Sequence, residues 1–571
     1  MLQEDRLNLR APDIVMDLER LGRLYPYRLS FMRVLVRRMM HEQWKIERVI
    51  FELNHDGYGH AVYEIRTRQN LYSLVIFSQQ LDAKNRSDRV IAEKWDMTAT
   101  LCEGVVDDER LAFFRDSVPL QEKGRLDASC FVLSRANKSE RNFEYVVNAL
   151  ASGEQPSLQT MSRVGYLYRT TAVYGSGKFG MADWQKVRER YTDFARPFAA
   201  EMFMCFMIRQ FSLEQADYLA AQRAPDTAVP MSDEIKRFVG IGNATGLGMA
   251  PYLINHPLLI SRWIEVRETA LARVLETTTP NAEKLDQLLC VARKSIRHLQ
   301  EIETDNEPQD KINKTTIKGA TSVVDWLSEE RSSIRNWSEV TDYAVDNASM
   351  ETQELLNTLL MEIHAEVVDD LEDSMVLSED YALHPEMPAS TLSEVIEQNY
   401  DWALAIDFSE ASEHGAFWYR SEEKMEPRLG VRGTDAGSDR EMFIGIAYAV
   451  RNCYDALCDA LTDDPELSVA DFVIASPSNR QIVRRVQTMA ATTYGDIRAN
   501  LVNADVKPIH LLRCKLSFFG VSKFDPRSRL WVRNTMFQGA PVRGDIGEPF
   551  LDDWCFPTIP GVQDSDLGQG H

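Results

Sequence analysis

The run from Pro197 to Phe211, Pro-Phe-Ala-Ala-Glu-Met-Phe-Met-Cys-Phe-Met-Ile-Arg-Gln-Phe, constrains this chain more than any other stretch. It lacks the polar stripe of a surface helix, so a helix formed here must be covered on most of its faces. The cover has to be protein, because the run falls short of the roughly 20 apolar residues that cross a bilayer and it contains Glu201. The rest of the chain can supply that cover. Hydrophobic residues are 44% and charged residues 26% of the 571, the balance of a chain that buries a core. Glu201 becomes a candidate functional residue. An interior carboxylate is either paired or raised in pKa, and Arg196 and Arg209 are the residues placed to pair with it.

Periodicity over the remaining chain predicts an α+β fold, predominantly helical, with antiparallel sheet in the N-terminal and C-terminal thirds. Helices are expected at 12–24 and 28–47, the second bearing Arg33, Arg37 and Arg38 for acidic neighbours to pair with. Strands 49–54 and 60–67 flank the turn-forming run His55-Asp56-Gly57-Tyr58-Gly59, followed by strands at 71–78 and 90–103. A five-residue turn sets Asn54 opposite His60 and Phe51 opposite Tyr63. It puts Val49, Phe51, Leu53, Ala61, Tyr63 and Ile65 on one apolar face and Glu52, Asn54, His60 and Glu64 on the other.

Further strands are expected at 164–174, 508–519 and 529–537, and helices at 128–150, 182–211 and through most of 212–376. Residues 303–319 read as a linker or exposed loop, 377–440 as a weakly patterned stretch, and the residues from Gln563 onward as a loose tail. At roughly 100–200 residues per domain this divides into an N-terminal α+β unit with the meander (1–180), a mainly helical unit (181–376) and a C-terminal α+β unit (377–571). An echo between Tyr174-Gly-Ser-Gly-Lys-Phe179 and Phe519-Gly-Val-Ser-Lys-Phe524 is too short to mark a duplication.

Several clusters could carry chemistry. His55, Asp56 and His60 with Glu52 crowd one hairpin turn, and imidazoles beside carboxylates can exchange protons or hold a divalent metal. The glycine turn Gly175-Ser-Gly-Lys178-Phe-Gly180, between a strand and a helix, could present backbone N–H groups and Lys178 to an anion. It is not a Walker loop, since Phe179 stands where Ser or Thr would bind magnesium. The loop Gly240-Ile-Gly-Asn-Ala-Thr-Gly-Leu-Gly248 fails the dinucleotide fingerprint at Thr245 and reads as a glycine-lined entry to a helix. Arg420, Arg428 and Arg432 lie in a Gly/Pro stretch suited to bidentate capture of carboxylate or phosphate. The acid-rich run Glu362–Asp373 reads as a solvated helix face, without the spacing of a helical zinc or di-iron site.

Net charge narrows the partners. With 64 Lys and Arg against 87 Asp and Glu, the chain carries −23 and repels phosphate backbones and anionic membrane surfaces. The eight cysteines are scattered without a CxxC pair and read as core residues of a reducing compartment, and the first residues lack a secretory pattern. The expectation is a cytoplasmic, soluble enzyme acting on a small anionic metabolite by lyase or hydrolase chemistry, in a form compatible with a homo-oligomer. His55, Asp56, His60 and Glu201 would be catalytic, and Lys178, Arg420, Arg428 and Arg432 would hold substrate. His55, His60 and Glu52 would ligate a divalent metal. The competing expectation is a non-catalytic helical scaffold or regulatory protein whose Gly/Arg loops bind a partner. Convergence of His60, Lys178, Glu201 and Arg428 on one pocket separates the two.

Overall fold

The computed structural model describes residues 7–81, 95–170, 187, 189–246, 257–376, 383–406, 418–421, 427–429, 441–443, 446–497, 508–526, 531–548 and 552–561. It is a mixed α+β protein built on one nine-stranded sheet. The strands are β1 (Lys45–Leu53), β2 (Gly59–Arg66), β3 (Leu71–Ser78), β4 (Met97–Glu103), β5 (Cys130–Lys138), β6 (Tyr166–Thr170), β7 (Gly240–Gly246), β8 (Trp418–Ser421), β9 (Pro427–Leu429), β10 (Glu441–Phe443), β11 (Lys523–Pro526) and β12 (Trp531–Met536). The large sheet runs β1-β2-β3-β4-β5-β6-β7-β12-β11, and β10-β8-β9 form a small second sheet. Every pairing in the large sheet is antiparallel except β6 with β7. A parallel pair needs a long crossover, and the residues between β6 and β7 provide it.

The principal helices are α1 (Phe31–His41), α2 (Asp108–Ser117), α3 (Glu140–Ala151), α4 (Ala199–Arg223), α5 (Pro257–Thr277), α6 (Ala282–Glu301), α7 (Glu307–Glu329), α8 (Trp337–Asn347), α9 (Met350–Ile363) and α10 (Pro508–Phe519). The apolar run around Glu201 opens α4, and every residue from Ala199 to Leu213 is buried. Polar side chains hold α4 to the sheet. Gln215 donates to Gly57 O at 2.7 Å and accepts from Tyr168 at 2.9 Å, Tyr218 donates to Leu53 O at 2.7 Å, and Glu214 accepts from Tyr63 at 3.0 Å. On the opposite face α2 covers a smaller core around Val75, Cys102, Phe114 and Leu133. No described helix is long and apolar enough to cross a membrane.

Buried ion pairs tie the ends of the chain together. Arg10 and Arg267 each bind both Glu268 and Glu354, at 2.6–2.7 Å, and Arg20 adds a 2.7 Å contact to Glu354. On α1, Arg33 pairs with Glu362 at 2.6 Å and Asp552 at 3.0 Å, and Arg37 reaches Asp552 at 2.8 Å and Glu372 at 3.2 Å. The basic face of α1 therefore finds its acidic partners.

Several sequence expectations are corrected. Residues 362–373 run from the last turn of α9 through a break at His364 into short helical turns (Ala365–Val368 and Asp369–Met375), and Glu362 and Glu372 face arginines instead of water alone. The 128–150 helix is β5 followed by α3, the 508–519 strand is α10, and most of the 303–319 linker lies in α7. The hairpin register differs by two residues, Leu53 opposite Gly59 and Phe51 opposite Ala61. A shift of two keeps every side chain on its face, but a bulge between Arg48 and Ile50 leaves Val49 47% exposed. The Gly240–Gly248 loop is largely β7, an interior strand of the sheet drawn from the middle of the sequence.

Candidate functional site

β7 needs its glycines because its neighbours press on it. A Cβ on Gly242 would lie 2.4 Å from the Tyr166 ring, and one on Gly240 would lie 2.5 Å from Met536 O. Ladder partners share a face, so Tyr166 on β6 sits beside Gly240, Arg169 beside Gly242, and Arg533 on β12 beside Ala244. Asn137 of β5 pairs with Arg169 and joins the same face. Across this row the middle strand is low and the outer strands carry long side chains.

A pocket of about 760 Å³ lies over this row, within the range typical of small-ligand sites. Its walls come from the end of β5, the first turn of α3 and the residues entering β6. Lys138, Arg141, Arg163, Arg169 and Arg533 line it, against the acids Asp96 and Glu140. Asn137, Ser139, Asn142, Thr160 and Tyr166 add neutral hydrogen-bonding groups. The mouth is braced by its own polar contacts: Asp96 accepts from Lys138 N at 3.0 Å, and Asn137 accepts from Asp96 N at 2.9 Å. Lys138 lies over the rings of Phe143 and Tyr58, at 4.8 and 5.3 Å. Arg163 reaches Asp305 at 3.0 Å on the exposed rim. Ser139 caps α3 without using its side chain, so the first turn of this helix, with its positive dipole end, borders the pocket.

The residues singled out in the sequence fall elsewhere. His55 and Asp56 are 72% exposed at the hairpin tip, 3.4 Å from each other. His60 is buried beside Phe77, with its Nε2 3.4 Å from Glu52; burial lowers its pKa, Glu52 opposing and Arg115 adding to the effect. Glu201 is buried on α4, which covers the other face of the sheet, so His60 and Glu201 share no pocket. Arg196 pairs with Asp373 at 2.6 Å, and Arg209 donates to backbone carbonyls. Arg420 and Arg428 belong to β8 and β9 of the small sheet, where Tyr419 pairs with Arg428 and Arg420 with Pro427. Lys178 and Arg432 lie outside the described residues. Among the described residues no three His, Cys, Asp or Glu side chains gather as metal ligands would, His55, His60 and Glu52 included.

One sequence signal leads to the pocket: Gly, Gly, Ala and Gly at 240, 242, 244 and 246 alternate with larger residues at the period of a strand, which a loop does not require. The arginines give no such signal, because they come from α3, the segment before β6, β6 itself and β12. No family model matches this chain, and neither a curated protein nor a solved structure is detectably similar to it.

Proposed function

We propose that this protein binds a small anionic metabolite, carboxylate- or phosphate-bearing, in the pocket over β6, β7 and β12. The observation that carries the reading is a cavity lined by five basic and two acidic side chains in a chain of net charge −23. A local excess of cations within an acidic molecule selects for an anion small enough to enter and disfavours extended polyanions. Arginine forks at Arg169 and Arg533, on rigid strands to either side of β7, are suited to two-point capture of a planar or tetrahedral anion. If the anion is turned over, Asp96 is the buried carboxylate of the lining and the group that would move a proton. This keeps the anionic substrate expected from the sequence and moves its binding residues.

A thermal-shift screen of the full chain against carboxylates, phosphates and sulfonates tests the proposal. A specific ligand at about 100 times its Kd adds roughly 2.7 kcal/mol to the native state and raises Tm by several degrees. The double variant Arg169→Gln/Arg533→Gln should lose that increment while retaining its ligand-free Tm within a few degrees. An increment equally large in the variant would sink the assignment to this pocket.

A further inference from the structure

β4 and β5 bring Cys102 and Cys130 opposite each other as ladder partners, at a bulge between Leu101 and Cys102. Partners in a regular antiparallel ladder hold their Cα atoms about 4.5–5.5 Å apart, inside the range of roughly 4.4–6.8 Å that a disulfide spans. Both side chains enter the small core under α2. Cys102 Sγ also lies 3.3 Å from Ser73 O. Cys130 is the first residue of its strand, next to the exposed turn at Asp127–Ser129, and is 5% exposed.

We infer that Cys102 and Cys130 are a redox couple that a peroxide converts to a cross-strand disulfide. Cys130 is the attacking sulfur. The neighbouring Cys102 thiol lowers its pKa, against burial and Asp127, while the Cys130 thiol and burial raise the pKa of Cys102. The Cys130 thiolate attacks one oxygen of hydrogen peroxide; the O–O bond breaks, a sulfenic acid forms, and the departing hydroxide leaves as water on taking a proton. Cys102 then attacks that sulfur. The S–S bond forms, the S–O bond breaks, and the hydroxyl leaves with the Cys102 proton as a second water. Two thiols lose two electrons and two protons, and one peroxide is reduced to two waters. The product would staple β4 to β5 at the end of the strand pair away from Asp96 and Asn137.

The test uses the full chain, treated with hydrogen peroxide, alkylated under denaturing conditions and digested with trypsin without reduction. The expected product joins the peptides spanning residues 95–110 and 126–135, is lighter than their sum by two hydrogens, and separates on reduction. Cys130→Ser and Cys130→Ala should each abolish the linked species and leave Cys102 alkylated. If Cys102 and Cys130 are both recovered alkylated at a peroxide dose that oxidises the exposed Cys290, the inference is wrong. A main product linking either residue to a different cysteine overturns it equally.

Discussion

Arg209 is 1% exposed, and its guanidinium donates to the carbonyls of Lys236, Arg237, Val239, Ala540 and Pro541, at 2.5–2.9 Å. It thereby joins the segment entering β7 to the one leaving β12. Arg209→Met keeps much of the volume and removes every donor. Buried carbonyls left without partners cost about 1–3 kcal/mol each before relaxation, so a loss of at least roughly 3 kcal/mol is expected in urea unfolding; a loss below 1 kcal/mol would mean that water replaces the guanidinium. Glu354 gives a pH signature. Burial alone would raise its pKa, but Arg10, Arg267 and Arg20 outweigh it and hold the carboxyl well below its ordinary value. Asp552 is lowered in the same way, with Arg33, Arg28 and Arg37 overcoming burial. A depressed folded-state pKa contributes stability above the unfolded value, about 4.3 for Glu, and that contribution is lost as the pH falls below it. Glu354→Gln should cost about 3–5 kcal/mol at pH 7, as breaking a buried pair does, and the gap from the parent should narrow between pH 5 and pH 3.

At the scale of elements, β7 is the least tolerant strand. Gly242→Ala drives a methyl group into the Tyr166 ring, and Gly240→Ala drives one into the backbone of β12. Overpacking of this kind costs about 1–3 kcal/mol. Gly240→Ala should cost the more, because a carbonyl cannot rotate away as a ring can; chemical denaturation of the two variants side by side checks the order. The same strand marks where the sequence became hard to read. The β1–β2 hairpin was legible from alternation, and its faces survived a register shift of two because side chains alternate with that period. The strand β7 was not, since glycine carries no hydrophobic signal and its role depends on Tyr166 and Met536 from distant segments. The short apolar run His510–Phe519 suits a strand or a helix equally by pattern, and packing against the helix at Leu18–Leu21 made it α10. The candidate pocket was illegible for a related reason: Arg141, Arg163, Arg169 and Arg533 meet only through the sheet order.

Over the whole molecule, the acidic surface and the basic pocket act on an incoming anion at different ranges. The net charge repels it from afar, whereas the five lining cations attract it only at contact. Raising ionic strength from roughly 0.01 to 0.1 M shortens the Debye length from about 30 to 10 Å and screens the long-range part first. Association of a ligand found in the screen should therefore quicken, by roughly two- to tenfold, while its equilibrium affinity falls. Stopped-flow measurements over that salt range check the sign; association that slows with salt would mean the pocket field reaches beyond the acidic surface.

The position of β7 between β6 and β12 also bears on how the protein is made. Its second edge stays unpaired until residues 531–536 have been synthesised. At about 5–20 residues per second, the intervening residues take on the order of 15–60 s to emerge. Through that interval the nascent chain carries an open strand edge beside a largely apolar helix, the kind of surface that pairs with other chains. A ribosome-bound chaperone, or the early docking of α4, would have to shield it until translation brings the last strands into place.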